Sequence, residues 1–154
     1  MFSRCFAWCF LRKSTDDIPL FNCNNFKGYA KVVNVYDGDT FRACIVGPGD
    51  NKVRKFTFRP IGYDAPEMKP LKSTPNREVY LQHAKLAKDL LIEYLTEDLV
   101  WLECSKNDKY GRVLCYMYNK MNDEVSINEK MLQSGLVLPY DGKTKLEFNF
   151  ESKE

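Results

Sequence analysis

Three short segments near the start of the chain alternate apolar and polar residues, which is the pattern of a β-strand with one buried face. Asp37-Gly38, a strong hairpin signal, joins the first segment to the second. The sequence Gly-Pro-Gly-Asp-Asn at 47–51 joins the second to the third. The pattern therefore predicts a three-stranded antiparallel meander. Its strands are residues 29–36, 40–46 and 52–63.

A helix is predicted next, because apolar residues recur at intervals of three and four. Thr74 is suited to the N-cap and Pro75 to the first helical position, where a missing N–H is harmless. The single histidine, His83, lies beside the apolar face, and no nucleophile or metal ligand is spaced to join it. We therefore interpret His83 as a surface or boundary residue of the helix. The apolar positions are Val79, Tyr80, Ala84, Ala87, Leu90, Leu91 and Leu95.

Two further strands and a short helix complete the pattern. The strands are predicted over 99–104 and 112–118, and Ser126 to Glu129 has the form of a capping box. Gly135 is suited to the left-handed position after the second helix. This order of elements is that of a five-stranded Greek-key barrel with an interposed helix. The predicted fold class is α+β, mainly β: an OB-fold barrel with two or three helices, an architecture that binds nucleic acids.

Composition limits the domain count and the kind of surface. A chain of 154 residues is long enough for one domain with a real core. We place that domain at 28–140, between an N-terminal segment, 1–27, and a short tail, 141–154. The formal net charge is only +2, so any basic surface for a nucleic acid must be local. We expect the protein to be a monomer.

The cysteines argue against a zinc site. There are six of them, but no Cys-x-x-Cys occurs and the chain has one histidine. Cys44, Cys104 and Cys115 lie in apolar, strand-like segments, which favours buried free thiols in a reducing, intracellular compartment over disulfides.

The N-terminal segment contains an apolar stretch, Cys5 to Leu11, that is too short to cross a bilayer. It lacks the features of a signal peptide, and we expect no transmembrane helix. Cys5 and Cys9 are four apart and accompanied by aromatic and basic residues, so one hypothesis is S-acylation with docking to a membrane surface. The alternative is a frayed leader or a strand that packs on the domain. Localisation is accordingly expected to be cytoplasmic or peripheral to a membrane.

Three carboxylates and two arginines are candidates for chemistry: Asp39, Arg59, Asp64, Glu67 and Arg112. Hydrolysis of a phosphodiester requires its negative charge to be neutralised and a water to be activated. Arginine can bind two phosphate oxygens at once, a carboxylate can take a proton from water, and carboxylate oxygens can hold a hard divalent cation. The combination therefore suggests a metal-dependent phosphodiesterase.

One geometric difficulty lies between Arg59 and Asp64. They are five residues apart, so in an unbroken strand their side chains would point to opposite faces. Gly62 can host a bend that re-aims them, and Pro60, which lacks a ladder donor, suggests an edge or a bulge at the same point.

Each motif also has a plain structural interpretation, as a turn, a helix entry or a solvated hairpin loop. Three hypotheses follow: an active nuclease, an inactive domain that binds nucleic acid or protein, and a structural domain with solvated charges. A pure binding module has no need of a base such as Glu67, which favours the nuclease. Clustered lysines and arginines between residues 52 and 88 argue against the third hypothesis.

The combination of motifs resembles the staphylococcal nuclease (thermonuclease-like) family. The resemblance is carried, in the family's order, by Asp37-Gly38-Asp39-Thr40, Phe58-Arg59, Asp64-Ala65-Pro66-Glu67, Asp108-Lys109-Tyr110-Gly111-Arg112, Asn128-Glu129 and Gly135-Leu136. It covers 28–140 and leaves the N-terminal segment outside.

The resemblance implies a calcium-dependent endonuclease that hydrolyses DNA, RNA or both and leaves 3′-phosphate ends. By position, Asp39, Asp64 and the backbone carbonyl of Ala65 would hold one Ca²⁺ ion. Glu67 would be the general base acting through water, and Arg59 and Arg112 would stabilise the transition state. The residues implied to contact the rest of the substrate are Lys109, Tyr110 and Tyr140, the last aligned only to within about one residue.

Two departures from the family pattern carry expectations of their own. Ala65 stands where the family usually has threonine, so a hydroxyl is lost although the carbonyl remains. The sequence from Leu146 onward is too short and too aromatic for the family's C-terminal helix. One hypothesis is that the N-terminal segment supplies the missing packing.

Overall fold

A computed structural model describes residues 15–16, 22–47, 52–95 and 98–150. Cys5, Cys9, most of the N-terminal segment and most of the 47–51 turn lie outside these ranges, so the predictions made for them stay predictions. The elements are β1 (Lys27–Asp37), β2 (Thr40–Val46), β3 (Val53–Pro60), β4 (Gly62–Asp64), α1 (Arg77–Tyr94), β5 (Val100–Asn107), β6 (Val113–Tyr118), α2 (Ile127–Gln133) and β7 (Leu138–Tyr140).

Five strands close into a barrel in the order β1-β2-β3-β6-β5. Every neighbouring pair is antiparallel except β3 and β6, which run parallel from Phe58 opposite Val113 to Pro60 opposite Cys115. The predicted meander is β1-β2-β3, and the barrel is the predicted mainly-β OB-fold. The parallel pairing matters for the site because it aligns the end of β3 with the start of β6.

The barrel core is built from the inward residues of alternating strands. In β6 the buried members are Val113, Cys115 and Met117, as the alternation predicts. Phe41 and Phe58 stack inside the barrel with ring centroids 5.3 Å apart. Helix α1 packs against β1 and buries an apolar face that includes Ala84, Ala87 and Leu91.

The chain bends sharply after β3, where the sequence predicted one strand through residue 63. Pro60 ends β3, and Gly62 adopts φ +95°, a left-handed conformation that favours glycine. Beyond the bend, the short strand β4 pairs with β7 in a separate two-stranded sheet. Of the two expectations at Pro60, an edge or a bulge, the edge is wrong. Strand β3 is part of the closed barrel wall and pairs with β2 on one side and with β6 on the other.

The side chain of Asn128 fixes this bend from the first turn of α2. Its amide nitrogen donates to the carbonyl oxygens of Ile61 at 2.8 Å and Cys115 at 3.2 Å. Its amide oxygen accepts the N–H of Met117 at 2.9 Å. One buried residue thus joins the bend, β6 and α2, so that the direction of the chain after Arg59 is set by long-range contacts.

The predicted start of the first helix is wrong by about two residues. Asn76 is the N-cap, in a left-handed conformation with φ 46°, and its side chain makes no capping bond within the helix. Instead its amide donates to the carbonyl oxygen of Phe150 at 2.8 Å. Thr74 and Pro75 belong to the preceding turn, in which the N–H of Thr74 donates to Leu71. A contact with the tail therefore overrode the local capping signal.

The second helix begins and ends as predicted. Ser126 accepts the N–H of Glu129 while the Glu129 carboxylate accepts the N–H of Ser126, which is the reciprocal capping box. Gly135 has φ +72° directly after the helix. These signals were reliable because both partners of each contact lie within four residues of one another.

The described cysteines, Cys23, Cys44, Cys104 and Cys115, are free thiols. Burial raises the pKa of Cys104 to about 12 and raises that of Cys115 as well. These thiols are therefore protonated and unreactive at neutral pH. The prediction of buried free thiols is confirmed for Cys104 and Cys115, whereas Cys44 is a free thiol that is only partly buried.

The tail packs on α1 rather than forming a helix over 141–150. We call these residues the C-terminal strap. The ring of Phe150 stacks on His83 at 3.9 Å between centroids, and Phe148 and Phe150 both meet Tyr80 edge-on. The strap therefore supplies packing on this face. Among the described residues, no helix has the length and apolar character needed to cross a membrane.

Candidate active site

Three chain segments meet at one end of the barrel. The turn between β1 and β2 carries Asp39, the bend between β3 and β4 lies between Arg59 and Asp64, and the loop before β6 ends at Arg112. The bend turns Asp64 back toward Arg59, which resolves the geometric difficulty that an unbroken strand would have posed. The sequence-predicted charged residues therefore converge, although they come from distant parts of the chain.

Arg59 lies at the centre of a buried ion cluster. One guanidinium nitrogen is 2.6 Å from Oδ2 of Asp39, and the other is 2.6 Å from Oδ1 of Asp64. All three side chains are 7% exposed or less. Burial would lower the pKa of Arg59, but the adjacent carboxylates outweigh it and raise the pKa above its ordinary value. Arg59 is therefore a fixed cation that holds both carboxylates in place.

Asp39 has a full set of partners. Its Oδ2 also accepts the N–H of Ala65 at 3.0 Å, and its Oδ1 accepts the hydroxyl of Thr40 at 3.1 Å. Burial alone would raise the pKa of Asp39, but Arg59 and these donors lower it below its ordinary value. The carboxylate of Asp39 is therefore ionised and fixed in orientation.

A second buried carboxylate, Asp37, lies behind Asp39. Its Oδ1 accepts the N–H of Asp39 at 3.1 Å, which shapes the turn. Burial and the neighbouring Asp39 charge raise the pKa of Asp37 to about 7. The pKa values of Asp37 and Asp39 are thus shifted in opposite directions, because Asp39 pairs with Arg59 and Asp37 faces the charge of Asp39.

Close packing against Ala65 and Ala87 accounts for glycine at position 38. A Cβ placed on Gly38 would lie 2.7 Å from Cβ of Ala65 and 3.0 Å from Cβ of Ala87. Ala65 is itself only 2% exposed. The turn, the bend and helix α1 are therefore in close contact through small residues, and the side chain at 65 faces packing while its backbone N–H faces Asp39.

Glu67 is more exposed than Asp39, Arg59, Asp64 and Arg112, with 56% of its side chain accessible. Its backbone N–H donates to the hydroxyl of Tyr80 on α1 at 3.1 Å, which ties its loop to the helix. Its carboxylate lies 3.6 Å from the ammonium group of Lys145. The residue is thus held by its backbone while its carboxylate reaches solvent.

Arg112 reaches the same site from the rim. Its Nε is 2.7 Å from Oδ2 of Asp108, and its Nη1 donates to the hydroxyl of Thr40 at 3.2 Å. Asp108 also accepts the backbone N–H groups of Tyr110 and Arg112, each at 2.9 Å. Burial raises the pKa of Asp108, but these bonds lower it below its ordinary value overall. A chain of hydrogen bonds therefore runs from Arg112 through Thr40 to Asp39.

An open cleft of about 810 Å³ is lined by Arg59, Glu67 and Arg112, whereas Asp39 and Asp64 are not part of its lining. The sequence-predicted substrate residues line it together: Lys109, Tyr110 and Tyr140. The guanidinium of Arg59 lies 5.6 Å from the centroid of the Tyr140 ring, and that of Arg112 lies 5.5 Å from the Tyr110 ring. The basic residues that line the cleft are Lys55, Arg59, Lys109, Arg112, Lys143 and Lys145. The local basic surface that the small net charge required is therefore here.

The sequence missed Lys145, which contacts the central carboxylates. Its Nζ lies 2.9 Å from Oδ1 of Asp64. Burial would lower the pKa of Lys145, but Asp64 raises it above its ordinary value. Lys145 was placed in a tail outside the domain, and no local pattern reports a contact that depends on how the strap crosses the barrel.

The donor chemistry of the site suits a hard cation. Carboxylate oxygens of Asp39 and Asp64, with the carbonyl of Ala65, are the ligand type that Ca²⁺ prefers. Over the described ranges, however, no group of three or more His, Cys, Asp or Glu side chains is arranged to hold a metal. Both carboxylates face Arg59, and Asp64 also faces Lys145. The residues therefore fit the ion in the kind of donor atom they offer, while Arg59 and Lys145 occupy part of those oxygens.

Comparison with known proteins agrees with this fold. A family model described as staphylococcal nuclease homologue matches residues 57–152. The chain is 32% identical, over an alignment of 168 residues, to the probable endonuclease LCL3 of Komagataella phaffii, covering 91% of this chain and 68% of that protein. It is 30% identical over 142 residues to an uncharacterised protein of Methanocaldococcus jannaschii, covering 82% of this chain and 66% of that protein.

The chain belongs to the staphylococcal nuclease homologue family, a family of nucleases, and the resemblance seen in the sequence is confirmed. The matched region includes Arg59, Asp64, Glu67 and Arg112, whereas Asp39 lies before it. The chain spans about two thirds of the length of both relatives. Membership of a nuclease family implies a nucleic acid substrate.

Proposed function

We propose that this protein is a calcium-dependent endonuclease that hydrolyses phosphodiester bonds of DNA, RNA or both and leaves 3′-phosphate ends. One observation carries the proposal: Arg59, which holds the buried ion cluster together, lines one basic cleft with the rim arginine, Arg112, and with Glu67. A cleft with cations for phosphate and a solvent-accessible carboxylate for water has the parts that this hydrolysis requires.

The two arginines are assigned to the scissile phosphate. The charge on the phosphoryl oxygens must be compensated as the attacking water adds, and a guanidinium can donate to two of these oxygens. Arg112 lies at the rim, tethered through Asp108 and Thr40, so that its remaining N–H donors are available to the cleft. Arg59 supplies positive charge from below and fixes the carboxylates.

Glu67 is assigned as the general base. It combines a backbone anchored by Tyr80 with a carboxylate that is accessible to water. A carboxylate in that position can accept a proton from a water molecule directed at the phosphorus. The bond from phosphorus to the leaving 5′-oxygen then breaks, which leaves the phosphate on the 3′ side.

Asp39, Asp64 and the carbonyl of Ala65 are assigned to hold Ca²⁺. A bound Ca²⁺ supplies positive charge to a phosphate oxygen and acidifies water. Asp39 is suited to this because its orientation is fixed by the N–H of Ala65 and the hydroxyl of Thr40. Lys109, Tyr110 and Tyr140, farther along the cleft, are assigned to the neighbouring phosphate and nucleotide.

The test is cleavage of end-labelled single-stranded DNA and RNA in Ca²⁺ and in EDTA. We expect cleavage in Ca²⁺ only, with products that polynucleotide kinase lacking phosphatase activity labels at their 5′ ends. Glu67→Gln should lower the rate by about 10²–10⁴-fold without unfolding the protein. The matched control is Glu103→Gln, since Glu103 pairs with Lys27 outside the cleft.

Two results would count against the proposal. Full activity in EDTA would contradict the assignment of Ca²⁺. Equal rates for Glu67→Gln and the wild type would contradict the assignment of Glu67 as the general base. Binding of nucleic acid without turnover under every divalent cation would instead support a binding module.

A further inference from the structure

The C-terminal strap contacts the carboxylates of the candidate active site through the side chain of Lys145. Nζ of Lys145 is 2.9 Å from Oδ1 of Asp64 and 3.6 Å from Oε1 of Glu67. These are the carboxylates assigned above to the metal and to water. An ammonium group therefore lies where the site is built to attract a cation.

The strap is attached by contacts that are independent of this ion pair. Phe150 stacks on His83 at 3.9 Å, and its carbonyl accepts the amide of Asn76 at 2.8 Å. Phe148 meets Tyr80 at 6.1 Å between centroids. The strap is thus docked along the start of α1, and this docking brings Lys145 to the carboxylates.

Tyr80 connects the strap to the catalytic loop. Its ring packs on Phe148 and Phe150, and its hydroxyl accepts the backbone N–H of Glu67. Docking of the strap and placement of the Glu67 loop therefore depend on one side chain. Undocking of the strap is therefore expected to shift the Glu67 loop, and a shift of that loop is expected to weaken docking.

We propose that the C-terminal strap is a built-in competitor for the cation of the active site. With the strap docked, Lys145 neutralises Asp64 and faces Glu67; a divalent cation at Asp64 must displace it. The inference rests on the proposed calcium-dependent function and adds a means of restraining it. By linkage, if docking weakens cation binding, cation binding must weaken docking to the same degree.

The competition is expected to be modest. The Lys145 side chain is half exposed, and a half-exposed ammonium in water is screened and mobile, so its pairing with a carboxylate is weak. Removing its charge should therefore lower the dissociation constant for Ca²⁺ by roughly two- to fivefold. A restraint of this size slows the enzyme at low Ca²⁺ and is overcome when Ca²⁺ rises.

The experiment is calorimetric titration of Ca²⁺ into the metal-free full chain, without substrate. Lys145→Met keeps the apolar stem and removes the charge. Lys143→Met is the matched control, because Lys143 lies on the same strap, lines the same cleft and carries the same charge. We expect tighter Ca²⁺ binding for Lys145→Met and a smaller change for Lys143→Met. Phe150→Ala, which loosens the strap, should tighten binding in the same direction.

His83 gives a second readout that does not depend on activity. It is the single histidine in the chain, and its ring lies against Phe150, so its NMR signals report whether the strap is docked. Ca²⁺ should shift these signals in the wild type toward their positions in Phe150→Ala. In Lys145→Met, Ca²⁺ should leave them nearly unchanged.

Three outcomes would overturn the inference, and they separate it from the proposed function. If the wild type and Lys145→Met bind Ca²⁺ equally, the strap does not compete, while the calcium-dependent function stands. If neither binds Ca²⁺, both fail. A lower rate for Lys145→Met with unchanged Ca²⁺ affinity would also overturn it, since Lys145 would then serve the substrate.

Discussion

Arg59 and Arg112 are the same residue type and are assigned to the same phosphate, but the fold treats them differently. The side chain of Arg59 is 7% exposed and contacts two buried carboxylates at 2.6 Å. That of Arg112 is 25% exposed and pairs with Asp108, four residues away in its own loop. One arginine is part of the structure of the barrel end, and the other is mounted on its rim.

The difference teaches where stability and activity should separate. Removing a buried partner leaves an uncompensated charge in a region with little water, whereas removing a rim partner lets water take its place. Arg59 should therefore be needed for folding as well as for hydrolysis. Arg112 should be needed for hydrolysis alone.

The largest expected effect is on the stability of an Arg59 variant. Arg59→Met should lower the free energy of unfolding by about 3–5 kcal/mol, because Asp39 remains buried without its cation and Asp64 keeps only the half-exposed Lys145. Urea denaturation followed by fluorescence measures this. A triple variant that also carries Asp39→Asn and Asp64→Asn should recover most of the loss. A loss below about 1 kcal/mol for Arg59→Met would show that Arg59 resembles Arg112 after all.

The next effect is on the rate of an Arg112 variant. Arg112→Ala should lower kcat by about 10²–10³-fold, as expected when a donor to the transition state is removed. Its free energy of unfolding should change by about 1 kcal/mol or less, since the ion pair is partly exposed. Parallel measurement of kcat and urea denaturation checks both. Equal losses of stability in the two arginine variants would contradict the distinction between the buried Arg59 and the partly exposed Arg112.

A pH effect on stability is expected from Asp37, the buried carboxylate that accepts the N–H of Asp39. The native pKa of Asp37 is about 7, against 3.8 for an ordinary aspartate. The native state therefore binds a proton more tightly than the unfolded state, so in EDTA this group costs stability as the pH rises from about 4 to 7. Asp37→Asn keeps the oxygen that accepts the N–H of Asp39. It should be more stable than the wild type by about 1–3 kcal/mol at pH 8, with the difference vanishing near pH 4.

Thermal and urea unfolding at pH 4 and pH 8 measure this difference. The control is Asp123→Asn, because Asp123 lies in a turn and accepts the N–H of Lys120 at the surface. A stability difference for Asp37→Asn that stays constant with pH would contradict the assigned protonation.

The smallest effect is expected from the support of Arg112. Asp108→Asn weakens the contact to Nε of Arg112 and should lower kcat about tenfold, because the guanidinium is then less well oriented. As Asp108 acts through Arg112, the same substitution should cause little further loss in an Arg112→Ala background. Additive losses in the double variant would instead indicate a separate role for Asp108 in the loop.

The parts of the fold that could be predicted from sequence are those set by near neighbours. Ser126 and Glu129, the Asp37-Gly38 turn and the alternation in β6 each depend on residues close in the chain. The start of α1 could not be predicted, because Asn76 is recruited by the strap through Phe150. The features that could be predicted depend on contacts between residues close in sequence, and the feature that could not depends on a contact between distant residues.

The candidate site divides in the same way. Its charged residues could be listed from their motifs, and Gly62 could be identified as the point where the chain must bend. The depth at which Arg59 is buried could not be anticipated, since it depends on Asn128 holding the bend from another helix. Nor could Lys145, which reaches Asp64 only because the strap crosses the barrel end.

The close contact among Gly38, Ala65 and Ala87 limits how this site can evolve. A substitution that enlarges one of these positions can normally be accommodated if a neighbour becomes smaller. Here all three are already glycine or alanine, and a Cβ on Gly38 would lie 2.7 Å from Ala65. A library randomised at position 65 and selected for folding should therefore return alanine, glycine and serine, and should recover threonine only together with a shift of the β1–β2 turn. The packing at the turn that carries Asp39 thus restricts side-chain volume, independently of any demand made by catalysis.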